Sequence, residues 1–196
     1  IIKDRLYTSK KDSVERKAAQ TTMYTILDSL VKILTPMIPF TAEEIWKAMK
    51  HTGNEEVESV MLTDFPQVND KYDKYDNKEI AEKWDKIIKL KDIVAKELEN
   101  ARASKAIGHS LNAKVTIYAE DEQYKFIKEN LKLLETVFIV SALTVEENAR
   151  KDEVKLGVKV EQAPGEKCER CWMYSETVGE DKENPTICHR CSENIK

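Results

Sequence analysis

The chain contains Cys168-Glu169-Arg170-Cys171 and, after a spacer of sixteen residues, Cys188-His189-Arg190-Cys191. These two C-x-x-C pairs hold all four cysteines of the sequence. Their spacing is typical of zinc sites, in which four thiolates surround one ion at about 2.3 Å. Because four thiolates leave no position for water, the sequence predicts one structural zinc per chain and no catalytic metal.

Two disulfides or four free thiols are the alternatives to zinc. Disulfides persist in oxidising compartments. The first residues, Ile1 to Arg5, show no charged segment leading into an apolar one, so no signal peptide is recognised. We therefore expect a cytoplasmic protein that holds zinc. Three histidines, His51, His109 and His189, are expected to be solvated rather than ligands.

Composition restricts the classes of protein that remain. The 196 residues are 41% hydrophobic and 35% charged, which predicts a globular protein with no membrane span. The net charge of -4 argues against a protein that coats nucleic acid through bulk positive charge. The first residue is Ile rather than Met, so we expect a fragment of a longer chain.

The first predicted domain, residues 1–70, is helical. Apolar residues at helical spacing predict an amphipathic helix over residues 12–38, which Pro36 and Pro39 interrupt. Thr41 and Glu44 have the spacing of a capping box, which predicts a second helix that ends at Gly53. On that helix Trp46 is expected in the core, and residues 59–62 are expected to be extended.

The second predicted domain, residues 71–162, combines a long helix with a small α/β module, and a zinc-binding tail, residues 163–196, follows it. The polar residues 67–77 are predicted to be a surface linker. The long helix carries an apolar stripe from Ile80 and Trp84 onward and is predicted to end near Gly108. Apolar residues that alternate with polar ones predict strands at residues 113–119 and 154–160, and a continuous apolar run predicts a buried strand at residues 137–140. Between the first two strands in the chain, a helix is predicted that Asp121 caps and that continues to Leu134. The predicted fold class is α+β and multidomain: a helical bundle, a small α/β module and a zinc ribbon or knuckle with four cysteine ligands.

No segment carries a recognisable catalytic motif. The glycines are scattered, and neither G-x-G-x-x-G nor G-x-x-x-x-G-K-[ST] occurs in the sequence. No serine or cysteine nucleophile motif stands beside a base. The sequence therefore predicts a chain that by itself catalyses no reaction.

Several segments together resemble the C-terminal part of bacterial isoleucyl-tRNA synthetases, which are class I aminoacyl-tRNA synthetases. The most distinctive of these segments is similar to one that the isoleucyl, valyl and leucyl enzymes share. It reads Leu34-Thr35-Pro36-Met37-Ile38-Pro39-Phe40-Thr41-Ala42-Glu43-Glu44-Ile45-Trp46. The other segments that carry the resemblance are Lys3 to Tyr7, Arg16 to Thr21, Ala101 to Leu111 and the two cysteine pairs, the first of which is followed by Trp172.

The resemblance implies tRNA recognition. The HIGH and KMSKS signatures of the catalytic domain are missing from the sequence, as is the editing domain. A whole enzyme of this family uses ATP and isoleucine, whereas this part is expected to bind tRNA-Ile through an anticodon-binding bundle. The expected partners are tRNA-Ile and the catalytic body of the synthetase, with no membrane, and the expected state is a monomer.

The candidate RNA contacts lie beside the cysteine pairs and in two basic segments. Trp172 follows the first pair directly and can stack on an unpaired base, while Arg170 and Arg190 can meet phosphates. Further basic candidates are Arg5, Arg16 and Lys105. The alternative is that Trp172 packs beneath the zinc as a small core and that the basic side chains are solvated. The resemblance favours RNA contact for Trp172.

Two other functions remain open at this point. Formamidopyrimidine-DNA glycosylases have a similar C-terminal zinc finger, but they need an N-terminal Pro-Glu and this chain begins Ile1-Ile2. A zinc-stapled interaction module that binds only its own synthetase body is the second alternative, and it predicts no tRNA contact.

Overall fold

A computed structural model describes residues 2–51, 57–67, 77–147 and 156–195. They form two compact units, residues 12–77 and residues 1–11 with 78–196. Helices and two small sheets confirm the α+β fold class. The predicted boundary at residues 70 and 71 lies outside the described residues, as does most of the predicted linker, and the division into three domains stays a prediction. Among the described residues, no helix is both long enough and apolar enough to span a membrane.

The chain begins with a short helix, α1 (Ile2–Tyr7), that belongs to the same unit as the C-terminal half. None of its residues is buried. The hydroxyl of Thr8 lies 2.8 Å from the Asp4 carbonyl oxygen and 2.7 Å from the Asp4 carboxylate, which closes the helix end. A helix of six residues is unstable in isolation, so α1 depends on contacts with the rest of its unit.

The unit of residues 12–77 is built on α2 (Val14–Leu34) and α3 (Pro39–Ala48). Ser13 caps α2, because its hydroxyl oxygen accepts a hydrogen bond of 3.2 Å from the Arg16 N–H. Trp46 is 1% exposed and its ring N–H donates to the Val57 carbonyl oxygen at 2.9 Å, which confirms the prediction that it is a core residue. Its buried neighbours are Val31, Ala42 and Val60.

Three sequence predictions for this unit are wrong. The capping box at Thr41 does not form, because α3 already begins at Pro39, where a proline loses no hydrogen bond. Residues 59–62 are not extended: a 3-10 turn, Val60–Leu62, forms where the Glu43 carboxylate accepts from the Ser59 hydroxyl at 2.8 Å and the Val60 N–H at 3.2 Å. His51 is half-buried against the Trp46 ring rather than solvated. The helix α3 ends at Ala48, before the predicted end at Gly53, which itself lies outside the described residues.

The two candidate caps give a matched pair of substitutions. Ser13→Ala removes the only side-chain acceptor at the start of α2 that the described residues show, and we expect it to lower the free energy of unfolding by about 1 kcal/mol. Thr41 occupies an exposed helical position, and Thr41→Ala is expected to change the free energy of unfolding by less than about 0.5 kcal/mol. Urea unfolding of both variants measures the difference. Equal losses would show that the capping box forms in solution.

The second unit is a small α/β module. Its elements are α4 (Lys78–Ala103), β1 (Ala113–Ala119), α5 (Asp121–Glu129), α6 (Leu131–Phe138), β2 (Ala142–Glu147) and β3 (Leu156–Gln162). The sheet has the order β2-β1-β3, with β1 parallel to β2 and antiparallel to β3. The central strand β1 places Val115 and Ile117 in a core that α4, α5 and α6 cover.

The predicted strand at residues 137–140 is wrong. Val137 and Phe138 end α6, Ile139 takes a left-handed conformation (φ 59°), and the strand begins later, at Ala142. A short apolar run does not distinguish a buried helix end from a buried strand. The strand predicted at 113–119 is confirmed, and the one predicted at 154–160 is observed as β3, although residue 154 lies outside the described residues.

Two helix predictions in this unit need correction. The single helix predicted from Asp121 to Leu134 is two helices that meet at Asn130, and the cap position is Glu120 rather than Asp121. The long helix α4 ends at Ala103, before the predicted end near Gly108. Its buried stripe begins at Ile87, so the predicted stripe members Ile80 and Trp84 are 49% and 37% exposed.

The last part of this unit, residues 163–195, is the zinc module. It consists of a hairpin of β4 (Glu166–Lys167) and β5 (Tyr174–Ser175) and a helix, α7 (His189–Ile195). Gly165 has φ +84°, and a Cβ there would lie 2.3 Å from the Ser175 backbone, so only glycine fits this turn. The Tyr174 N–H donates to the Ser141 hydroxyl oxygen at 2.7 Å, which joins the zinc module to the α/β module.

Candidate metal centre and nucleic-acid interface

The four cysteine sulfurs converge on one point. All four Sγ atoms lie within 4.8 Å of one another, and Cys171 Sγ and Cys188 Sγ are 3.9 Å apart. No disulfide joins them. A tetrahedral shell with metal–sulfur bonds of about 2.3 Å requires sulfur–sulfur distances of about 3.8 Å, so the arrangement fits one zinc ion.

Backbone hydrogen bonds shape both cysteine turns. In the first, the Trp172 N–H donates to the Cys168 carbonyl oxygen and the Cys168 N–H to that of Met173, both at 2.9 Å. The second turn opens α7, and the Cys188 N–H points to Cys168 Sγ at 3.3 Å. Cys168 and Cys191 are fully buried, so the thiolates are withdrawn from solvent.

The electrostatics of the cluster favour the thiolate form at Cys171 and the thiol form at Cys188 and Cys191. A hydrogen bond from Cys191, joined by the Met173 backbone and the Arg190 guanidinium, holds the pKa of the Cys171 thiol well below its usual range, against the opposing effect of burial. Burial raises the pKa of Cys188. A bound zinc requires all four ligands as thiolates, and four thiolates with Zn²⁺ carry a net charge of about -2.

Arg170 and Arg190 are hydrogen-bonded to residues near the start of the chain. The Arg170 guanidinium donates to the Thr8 carbonyl oxygen at 2.7 Å and to that of Tyr7 at 3.2 Å. Arg190 forms two hydrogen bonds of 3.0 Å with the Asp4 carboxylate. Burial tends to raise the pKa of Asp4, but the hydrogen bonds from Arg190 and Thr8 outweigh it, so that pKa lies below its usual value.

Trp172 lies at the surface of the zinc module rather than beneath the metal site. Its side chain is 61% exposed, and Lys167 Nζ is 5.4 Å from the ring centroid. Its backbone is left-handed, with φ +66°. A bulky residue in this conformation costs about 1–2 kcal/mol relative to glycine, and such strain is found mainly at functional sites.

The remaining basic candidates lie in different parts of the chain. Arg5 is half-buried on α1, and Lys105 is exposed just after α4, with φ 59°. Both belong to the unit that contains the zinc module, whereas Arg16 is half-buried near the start of α2 in the other unit. Among the described residues, the structure brings together the cysteines, Trp172 and the two arginines of the cysteine pairs, and it places α1, which carries Arg5, against those arginines.

The sequence predictions missed Asp4 as a neighbour of the zinc module. Asp4 and Arg190 are 186 positions apart, and neither has a sequence pattern that links it to the other. The contact becomes apparent only in the folded structure, where the second cysteine pair lies against α1.

Two protein families match the chain, and each match covers one part of the fold and site described above. Residues 1–117 match the family described as the anticodon-binding domain of tRNA ligase. Residues 165–194 match a second family, described as a zinc finger found in FPG and IleRS. The chain therefore belongs to the anticodon-binding domain family of tRNA ligases.

Within that class, its relatives are isoleucine–tRNA ligases. All of the chain aligns with that of Caldanaerobacter subterraneus subsp. tengcongensis at 52% identity, covering 22% of the relative. The enzymes of Caldicellulosiruptor saccharolyticus and Desulforamulus reducens are 48% and 43% identical to the whole chain, which covers 21% of each. The chain thus spans about a fifth of the length of these relatives, and the predicted resemblance is confirmed.

The prediction of one structural zinc is also confirmed. The four-sulfur cluster has the dimensions of a tetrahedral site, and it lies inside the segment that matches a zinc-finger family. Bound zinc would cross-link the two cysteine turns. With four cysteine ligands it would have no open coordination position for a reaction.

Proposed function

We propose that the chain is the tRNA-binding region of an isoleucine–tRNA ligase, an enzyme that attaches isoleucine to tRNA-Ile with ATP. The observation that carries the proposal is the order of the family matches, an anticodon-binding domain followed by an isoleucyl-type zinc finger, within a chain that resembles these ligases from end to end. In this proposal the region binds RNA and zinc, and the catalytic and editing steps belong to other parts of the enzyme.

The proposed RNA contact is centred on Trp172. The cysteine turn fixes the backbone on which the indole stands, because the Trp172 N–H is bonded to the Cys168 carbonyl oxygen. The exposed indole offers a flat apolar surface, on which an unpaired base stacks with about 1–3 kcal/mol. Lys167 lies beside the ring and can meet the phosphate of the stacked nucleotide.

The basic candidates supply phosphate contacts in this proposal. Lys105 is exposed, and Arg5 lies on α1 in the same unit. A guanidinium has five N–H donors, so the contacts of Arg170 and Arg190 with α1 leave donors for a phosphate. Arg16 is proposed as a contact made by the helical unit. The net charge of -4 means that placement and stacking, rather than bulk charge, provide the affinity.

The two alternatives are less well supported. A DNA-repair glycosylase shares the zinc finger, but residues 1–117 match an anticodon-binding domain and the relatives are isoleucine–tRNA ligases. A module that binds only its synthetase body does not account for the match of residues 1–117 to an anticodon-binding domain. We further propose that the catalytic body of the enzyme is a partner of this region and that the whole enzyme is a cytoplasmic monomer.

The proposal is tested by titrating the zinc-loaded chain with isoleucine tRNA and with valine tRNA. We expect saturable binding of isoleucine tRNA and affinity for valine tRNA at least about tenfold weaker, since anticodon bases differ between the two. Binding should weaken as salt increases, because phosphate contacts release counterions. No binding of either tRNA would favour the interaction-module alternative, and equal affinity for both would contradict recognition of tRNA-Ile.

A further inference from the structure

Helix α1 is held to the zinc module by polar contacts. The Asp4 carboxylate receives both hydrogen bonds of Arg190, and the carbonyl oxygens of Tyr7 and Thr8 at the end of α1 receive those of Arg170. No residue of α1 is buried, and Tyr7 is 72% exposed. Among the described hydrogen bonds, those of the two arginines join this helix to the zinc module.

The same two arginines belong to the cysteine turns. Arg170 directly precedes the ligand Cys171 in the chain, and Arg190 directly precedes Cys191. A guanidinium nitrogen of Arg190 also lies 3.5 Å from the Met173 sulfur. Burial raises the pKa of the Glu135 carboxyl on α6, and the positive charge of Arg190 partly opposes that rise. Each guanidinium thus projects from a cysteine turn and is hydrogen-bonded to α1.

Charge explains why such a bridge forms. A zinc ion with four thiolates carries about -2, and two guanidiniums offset that charge at short range. The Asp4 carboxylate and the carbonyl oxygens of Tyr7 and Thr8 accept hydrogen bonds from the same guanidiniums. Arg170 and Arg190 each occupy the third position of a cysteine pair, so the metal fixes the turns from which they project.

We infer that Arg170 and Arg190 are positioning residues of the zinc centre that couple zinc binding to the docking of α1. Zinc orders the two cysteine turns and aims both guanidiniums at α1. By linkage, docking of α1 must strengthen zinc binding by the same factor by which zinc strengthens docking. This inference concerns the protein without tRNA and stands apart from the proposed function.

The test measures zinc affinity in the full chain by competition with a chelator. Asp4→Asn lies outside the zinc module and leaves every ligand in place, and we expect it to weaken zinc binding about fivefold. This is the low end of typical couplings, because the Arg190 and Asp4 side chains are 44% and 34% exposed. Asp12→Asn removes the same charge from an exposed side chain that pairs with Lys17 in the other unit, and it should change the affinity less than about twofold.

Two outcomes distinguish coupling from simple charge effects. Loss of a negative charge near an anionic shell would by itself tighten zinc binding, so unchanged or tighter binding in Asp4→Asn would overturn the inference. Arg190→Lys keeps the charge but not the bidentate geometry. Combined with Asp4→Asn it should weaken binding no more than either change alone, and additive losses would show that the two residues act independently.

Hydrogen exchange of residues 2–11 provides a second readout. With zinc bound, the Thr8 N–H, which is bonded to the Asp4 carbonyl oxygen at 2.9 Å, should exchange slowly. In the Arg190→Lys variant with zinc still bound, the Thr8 N–H should exchange about fivefold faster. This is the same factor by which the substitution is expected to weaken zinc binding. Unchanged exchange in this variant would contradict the coupling.

Discussion

Replacing Cys188 with serine is expected to abolish zinc binding and to unfold residues 165–195, while the unit of residues 12–77 stays folded. The buried cluster of the zinc module consists of three cysteines and Ile187, so three of its four members are metal ligands. A module of this size has too little apolar surface to fold without help. Structural zinc contributes about 10–16 kcal/mol of apparent binding free energy in such modules.

Metal analysis and segment-resolved hydrogen exchange measure this effect. Wild-type protein purified under reducing conditions should contain one zinc per chain, and Cys188→Ser should contain none. His189→Ala is the matched control, since His189 neighbours the ligand and its side chain is 66% exposed; it should keep one zinc. A zinc-free wild type, or a Cys188→Ser variant that keeps both zinc and protection, would contradict a four-cysteine structural site.

Trp172→Ala is expected to weaken tRNA binding by the full enzyme about 5- to 150-fold, which corresponds to the loss of about 1–3 kcal/mol of stacking. Formation of isoleucyl-adenylate should be unchanged, because that step does not involve tRNA. The measurements are kcat/KM for tRNA charging and the rate of ATP–pyrophosphate exchange. Unchanged charging kinetics would exclude a stacking role for the indole.

Trp172→Gly separates stacking from stability. Glycine relieves the left-handed conformation at φ +66°, so this variant should be about 1 kcal/mol more stable than Trp172→Ala. Both variants should lose tRNA binding equally, because both lack the ring. If tRNA binding instead followed stability, with glycine better than alanine, Trp172 would act as a packing residue.

Patterns with a single physical solution were predictable from the sequence. Four cysteines at this spacing can meet at one ion, and alternation in residues 113–119 fits only a strand. Trp46 on an amphipathic helix indicated a core residue, and it is one. These features depend on local periodicity or on ligand chemistry, both of which are contained in a short stretch of sequence.

Features that depend on distant contacts were not predictable. Residues 137–140 are apolar enough for a strand, and only packing of α6 on the sheet makes them a helix end. Arg170 and Arg190 carry the charge expected of phosphate contacts, yet their first partners are Asp4, Tyr7 and Thr8, near the opposite end of the chain. The strain at Trp172 has no sequence signature, because a left-handed backbone at a tryptophan follows from the turn around it and not from the residue itself.

The most direct test of the proposed tRNA-binding role is a hydroxyl-radical footprint of isoleucine tRNA bound to the zinc-loaded chain. We expect protection of the anticodon stem and loop, with the protection of at least one loop nucleotide lost in Trp172→Gly. Protection confined to other parts of the tRNA, or a footprint that Trp172→Gly leaves unchanged, would contradict it.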